Sequence, residues 1–244
     1  MNCLILAAGR NTRLDTGIPK SLVDLGDGTL MERHFRVFSG LGVKRFCVIS
    51  GYGADKINEV VPKIAEKYNV EVDILHNERY DLENGFSVYR AKEWTDSKSI
   101  DNFFLTMGDH IFDPNFVSKY IEETSAQETI LNLAVDIPGE SNSHVDIDDV
   151  TKVLVSEEHF IQSIGKTIPE YTHFDTGLFR IKSKIFEYFT RSFDQEKYTI
   201  SDTVNQLVSE LQAKVSVIDG FTWNDVDNPD DLETTKKLLK KKSF

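Results

Sequence analysis

Asn2-Cys3-Leu4-Ile5-Leu6-Ala7-Ala8-Gly9-Arg10-Asn11-Thr12-Arg13-Leu14 opens the chain and decides its reading. The apolar run to Leu6 stops at Ala-Ala-Gly, the pattern of a buried strand running into a loop. Small residues let the backbone of such a loop approach a ligand closely. Arg10, Arg13 and, a little further on, Lys20 add three cations. Backbone N–H groups flanked by cations suit a polyphosphate. A surface loop with scattered basic residues is the competing reading of this stretch alone.

Strand-like and helix-like segments alternate onward from it. Residues 45–49, 71–75 and 102–107 read as further strands. Residues 29–41, 54–68, 85–94 and 113–123 read as helices, the last with Pro114 near its first turn. Strands separated by helical patterns imply βαβ units and an α/β fold: a Rossmann-like, mixed but mostly parallel sheet flanked by helices. Right-handed crossovers gather the loops after the strands along one edge, where such sheets bind ligands. Residues 7–13, 50–53, 76–85 and 108–110 are therefore the places to look for chemistry.

From about residue 129 the pattern turns β-rich. Residues 130–135, 151–155, 160–164, 172–181 and 215–218 are strand-like, with helices expected over 183–190, 201–211 and 229–239. Residues 141–149 read as a polar, acidic, exposed loop or the edge of a small subdomain. No linker, repeat or low-complexity stretch interrupts the chain. The expectation is one domain over 1–244, with a nucleotide-binding part over about 1–128 and an acceptor-binding part over about 129–244.

Composition narrows the field. The chain has 244 residues, enough for one α/β domain, and a net charge of −12. That balance argues against a nucleic-acid binder, which carries a basic surface. Cys3 and Cys47 each sit in an apolar run and read as buried strand cysteines, not a disulfide or metal pair. The first apolar run is too short and too early for a signal peptide. No run approaches the roughly 20 apolar residues of a membrane helix. The expected location is cytoplasmic, without integral membrane segments. The basic stretch 236–242 reads as a solvated helix end.

Two carboxylate sites stand out. Gly108-Asp109-His110 ends the apolar strand at 102–107, and an aspartate there suits Mg²⁺, which takes one or two carboxylates plus phosphate oxygens. His110 reads as a structural hydrogen-bonder. In Trp223-Asn224-Asp225-Val226-Asp227, Asp225 and Asp227 point the same way if the piece is extended. No G-x-x-x-x-G-K-[ST] occurs, and Gly51-Tyr52-Gly53-Ala54-Asp55-Lys56 fails the dinucleotide fingerprint at Lys56. There is no obvious nucleophile–base pair. A cationic loop with separated carboxylates suits phosphoryl-group chemistry run by positioning and charge.

Residues 6–14, followed by Pro19-Lys20-Ser21-Leu22-Val23, resemble the A-A-G-x-G-T-R-[LM] and P-K-x-L signature of the nucleotidyltransferase superfamily, with Asn11 where the loop's second glycine stands. Asn84-Gly85-Phe86-Ser87, Thr106-Met107-Gly108-Asp109-His110, Asp175-Thr176-Gly177-Leu178-Phe179 and residues 223–227 follow in order. This set is similar to the CTP:inositol-1-phosphate cytidylyltransferases, in their stand-alone form. The resemblance spans nearly the whole chain and implies a nucleotide-diphospho-sugar transferase type of fold.

By position, the resemblance implies that Leu6, Ala7, Ala8 and Gly9 hold base and ribose, with Asn84, Gly85 and Ser87 near the cytosine and ribose. Arg13 and Lys20 bind the triphosphate and, with Asp109, carry catalysis. Asp109, Asp225 and Asp227 bind Mg²⁺. Lys152, Lys166, Asp175, Thr176 and Gly177 are the acceptor-side candidates. The implied partners are CTP and a small phosphate-bearing acceptor, and a homodimer is compatible with all of this. Phosphocholine, an aminoalkyl phosphonate and a sugar 1-phosphate stay open as acceptors, and Tyr171, Phe174 and Asp175 are on hand for a cationic headgroup. A non-catalytic nucleotide sensor is the reading from another class.

Overall fold

The computed structural model of the chain describes residues 1–10, 13–14 and 16–241, without the side chains of 141 and 241. Asn11, Thr12 and Lys242, which figure in the sequence reading, lie outside the described residues.

The first half runs β1 (Asn2–Ala7), α1 (Leu30–Gly40), β2 (Arg45–Ser50), α2 (Ala54–Tyr68), β3 (Glu71–His76), α3 (Asn84–Arg90), α4 (Lys92–Lys98), β4 (Asn102–Met107), β5 (His110–Phe112) and α5 (Pro114–Glu123). The second half runs β6 (Leu131–Asp136), β7 (Lys152–Val155), β8 (Ile161–Gly165), β9 (His173–Lys182), α6 (Ile185–Phe193), α7 (Ile200–Val208), β10 (Ala213–Val217), β11 (Trp223–Asp225) and α8 (Pro229–Lys241).

The main sheet has the order β10-β6-β9-β4-β1-β2-β3, with the β7–β8 hairpin attached through β9. β1 to β4 are parallel neighbours, and β9 is antiparallel to both β4 and β6. The mixed, mostly parallel α/β architecture expected from the strand–helix alternation is the observed one. The sheet crosses residue 128 without a break, because β9 returns to lie between β4 and β6.

Alternate strand residues serve two cores, one on each face of the sheet. Leu4, Phe103 and Leu105 pack with Trp94, Phe186, Phe189 and Leu207 on one side. Cys3, Ile5 and Phe104 pack with Phe35, Phe38, Phe116 and Tyr120 on the other. A parallel sheet covered by helices on both faces produces this near-continuous apolar run along each strand. Both cysteines are fully buried and free, as expected, and they face opposite cores.

Where residues 85–94 read as one helix, the chain makes two. A tightened turn at buried Ala91 redirects it, so that Trp94 packs on Phe103 and donates its indole N–H to Asp73 at 3.1 Å. The short strands β5 and β11 have no counterpart in the sequence reading. They pair only with each other, antiparallel, and three residues are too few to show a period.

His34 on α1 is buried between Phe38 and Phe112, with no partner for its Nε2 among the described residues. Burial, reinforced by the nearby His110, pushes its pKa down to about 3. The unfolded chain therefore binds the proton first as pH falls below about 6.5, and the native state loses stability across that window at about 1.4 kcal/mol per pH unit. Replacing His34 with phenylalanine is expected to remove about 2 kcal/mol of the stability difference between pH 7 and pH 5. Urea titrations at the two pH values measure it; equal pH slopes for both proteins would refute it.

Candidate active site

The loops at the carboxyl ends of β1 and β4 and the amino-terminal half of antiparallel β9 meet the segments around 144–151 and 223–231 around a cavity of about 380 Å³. Leu6, Ala8 and Gly9 line it, while Ala7 turns into the core below. The loop is anchored on both sides, since the Gly108 amide donates to the Leu6 carbonyl at 2.8 Å and the Tyr52 amide to the Ala8 carbonyl at 3.0 Å.

Across this cavity runs a continuous ladder of alternating charge. Lys166 pairs with Asp149, whose carboxylate also accepts from Arg13 at 2.8 Å. Arg13 reaches Asp227 with its other nitrogen, Asp227 pairs with Lys20, and Lys20 donates to Asp109 at 2.9 Å. His110 closes the series with its Nδ1 2.8 Å from Asp109. Seven side chains from well-separated parts of the sequence thus share their charges.

The electrostatics follow from these contacts. Burial works against both ions of the Lys20–Asp109 pair. Asp109 and Asp227 nevertheless hold the Lys20 ammonium above its ordinary range, and Lys20 with His110 holds the Asp109 carboxyl well below its own. Burial also works against a charged His110, yet its hydrogen bond to Asp109 and the nearby Asp225 and Asp175 raise its pKa. Lys166 and Arg13 together lower Asp149 to about 2.

β5 and β11 explain how Asp225 joins Asp109. Their register sets Asp225 opposite His110, and the Val226 amide donates to the Asp109 carbonyl at 3.0 Å. Trp223 anchors the strand by donating its indole N–H to buried Asp136 at 2.8 Å. Asn224 donates to Thr235 on α8, also at 2.8 Å. Burial raises the Asp225 pKa, and the charges of Asp109 and Asp227 add to the effect against the opposing pull of His110.

A trio of metal-binding aspartates is not what the geometry offers unaided. Among the described residues no group of three His, Cys, Asp or Glu side chains is arranged to hold an ion. Asp227 is engaged by Arg13 and Lys20, and Asp109 by Lys20 and His110. Among the described residues Asp225 has no cation within ion-pair distance, so Asp109 and Asp225 are the pair whose mutual repulsion a divalent cation would relieve. Two carboxylates fit Mg²⁺ when substrate phosphates supply the remaining oxygens.

The other expected residues divide. Asn84 and Ser87 line the cavity. Asn84 also accepts from the Ile200 amide at 2.9 Å, and Ser87 from Asn77 at 3.0 Å. Gly85 splices α3 to the start of α7: its amide donates to the Tyr198 carbonyl, and a Cβ there would lie 2.3 Å from that oxygen. On the acceptor side Lys166, Asp175 and Gly177 line the cavity. Burial pushes the Asp175 carboxyl up to about 6, although it accepts from the Gly177 amide at 2.7 Å. Gly177 has φ +76°, and a Cβ there would meet the His110 ring at 2.6 Å. Thr176 is buried and donates to the Ala134 carbonyl at 2.8 Å. Lys152 is turned away, donating to the Lys166 carbonyl at 2.9 Å above the Tyr171 ring.

Sequence reasoning misses His144, Asp146 and Asp149, which stand in the cavity wall where the polar pattern suggests an exposed loop. Their one signal is a run of carboxylates without local counter-charges. Tyr80 and Leu82 also line the cavity; the segment 76–85 is expected there as a loop after a strand, but neither residue stands out within it.

The MobA-like NTP transferase domain matches residues 3–144. The chain belongs to that family. It is a nucleotidyltransferase, and the glycine-and-basic loop, β4 and Asp109 all fall within the matched region. The chain is 31% identical over 241 residues to the bifunctional IPC transferase and DIPP synthase of Aquifex aeolicus, covering 98% of this chain and 51% of that protein. It spans about half the length of the curated relatives it matches. The inositol-1-phosphate CTP transferase from T. maritima superimposes with a TM-score of 0.82 at 25% identity, over 98% of this chain and 96% of that one. The CTP:phosphocholine cytidylyltransferase from Streptococcus pneumoniae shares the fold, with a TM-score of 0.72 at 20% identity over 98% of each chain. Among the described residues no helix is long and apolar enough to cross a membrane.

Proposed function

We propose that this nucleotidyltransferase transfers the cytidylyl group of CTP to inositol 1-phosphate, releasing pyrophosphate. The charge ladder from Lys166 to His110 carries the chemical part of the reading: it places exchangeable cations on both sides of one cavity, as a reaction between two phosphate-bearing substrates requires. The similarity to an IPC transferase and to an inositol-1-phosphate CTP transferase supports the choice of substrates.

An oxygen of the acceptor phosphate attacks the α-phosphorus in line, the new P–O bond forms, and the bond to the β-phosphate breaks with pyrophosphate leaving opposite. The attacking oxygen is already ionised at neutral pH, so no general base is needed. Arg13 exchanges Asp149 and Asp227 for triphosphate oxygens, and Lys20 neutralises charge on the nucleotide side. Leu6, Ala8 and Gly9 hold the nucleotide by backbone, with Asn84 and Ser87 toward the base. Asp109 and Asp225 would hold Mg²⁺, which supplies charge neutralisation on the phosphate oxygens when bound. Lys166 and Asp175 face the acceptor.

A cationic acceptor such as phosphocholine is the weaker reading. Tyr171 stacks on buried Phe174 at 5.8 Å and lies under Lys152, and neither ring lines the cavity. Pyrophosphate release from four nucleoside triphosphates, each paired with inositol 1-phosphate, phosphocholine, 2-aminoethylphosphonate and glucose 1-phosphate, tests the proposal. Turnover is expected with CTP and inositol 1-phosphate. Turnover confined to another pair would overturn it, and CTP binding without turnover on any acceptor would point to a sensor.

A further inference from the structure

Asp149 is the one carboxylate of the ladder that touches both halves of the site. Arg13 reaches it from the loop after β1, and Lys166 from the turn after β8. Its own backbone is held in a turn: the Asp149 amide donates to the Asp146 carbonyl at 3.2 Å, and the Val150 amide to the same oxygen at 2.9 Å. Just beyond, the Asp175 amide donates to the Thr151 carbonyl at 2.9 Å, tying the segment to β9. The short Asp149 side chain thus stands on a held backbone, while both cations end long, flexible stems whose side chains are 55% exposed. Ion pairs this exposed exchange partners at little cost.

We propose that Asp149 is a positioning residue that acts as an internal stand-in for substrate phosphate, holding Arg13 and Lys166 together until the triphosphate of the nucleotide takes Arg13 from it. This rests on the nucleotide-binding reading above. It has a consequence that simple charge counting does not. Because Lys166 shares the Asp149 carboxylate, it loosens the hold of Asp149 on Arg13, and so assists nucleotide binding without touching the nucleotide.

The test is calorimetric titration of CTP with Mg²⁺, in the absence of acceptor, into the wild-type chain and three variants. Asp149→Asn is expected to bind CTP about three- to fivefold more tightly, since one exposed ion pair no longer has to be broken. Asp149→Glu restores the wild-type affinity. Lys166→Met binds about two- to threefold more weakly, because Asp149 then grips Arg13 alone. Combined with Asp149→Asn, Lys166→Met has no further effect. Weaker or unchanged binding by Asp149→Asn overturns the proposal, as does a Lys166→Met effect that persists in the double variant. If Asp149→Asn does not fold, Lys166→Met decides by itself: unchanged or tighter binding overturns the proposal. UTP, ATP and GTP are titrated in parallel. A wild-type chain that prefers one of them contradicts the CTP assignment, and the same variants then test Asp149 with that nucleotide. Failure of all four nucleotides to bind overturns both readings.

Discussion

Replacing Lys20 with methionine is expected to lower kcat/KM for the nucleotide by about 10²–10³-fold, the range found when one preorganised electrostatic donor is lost. Methionine keeps the length of the stem and removes the ammonium. Lys20 is the rung that joins Asp109 to Asp227, and its side chain is only 18% exposed. The two carboxylates then repel each other next to the site where phosphates must enter. Nucleotide binding weakens for want of the cation and again because of the anions left behind. Removing one partner of a largely buried pair also destabilises the fold, so the melting temperature falls. Lys20→Arg keeps the charge, but its planar fork does not fill the place of a compact ammonium between two carboxylates, and it is expected to restore stability more than activity. Steady-state kinetics with thermal melts separates the two effects. A Lys20→Met enzyme within threefold of wild type would remove Lys20 from the proposed mechanism.

Asp109→Asn is expected to cost about 10³-fold in kcat, of the same order as other losses of transition-state charge stabilisation. It keeps size and hydrogen-bonding capacity while removing the negative charge that Lys20 and His110 share. With one acceptor oxygen in place of two, the asparagine can still accept from Lys20 or from His110 but not from both, and neither contact keeps the carboxylate charge. The metal requirement separates this variant from a general loss of structure: the Mg²⁺ concentration for half-maximal rate should rise at least tenfold, while CTP binding measured without metal changes little. Full Mg²⁺-dependent activity would contradict the metal role of Asp109.

The strand–helix alternation from Asn2 to Glu123 makes the fold legible in the sequence, because a strand covered on both faces has little choice but to be apolar throughout. The first loop, Lys20 and Asp109 follow from it, since the loop and Asp109 sit directly after strands and such positions share one edge. Asp225 is legible as a candidate but not as a neighbour. What seats it beside Asp109 is a three-residue strand pairing, and that leaves no periodic trace. Asp149 is illegible as a site residue because a solvated acidic loop and a loop that clasps two distant cations are written with the same residues. Lys152 and Lys166 show the same limit from the other side. One begins and the other follows a strand of the same hairpin, and only packing decides that Lys166 faces the cavity while Lys152 lies over Tyr171. Asn84-Gly85-Phe86-Ser87 reads as a nucleotide motif and is equally a joint between two helices, so one segment answers to two constraints.

The pairing of β5 with β11 also sets when the site can exist. Lys20, Asp109 and His110 leave the ribosome with the first half of the chain, but Asp225, which lies opposite His110, and Asp227, which pairs with Arg13 and Lys20, are made more than a hundred residues later. β4 likewise waits for β9 to cover its open edge. A nascent chain can therefore form β1 to β4 and their helices early and still lack the acidic wall that meets Arg13 and Lys20. Arg13 is exposed first and neutralised last, so the growing polypeptide passes through an interval in which Arg13 lacks both Asp149 and Asp227 while Lys20 has Asp109 alone.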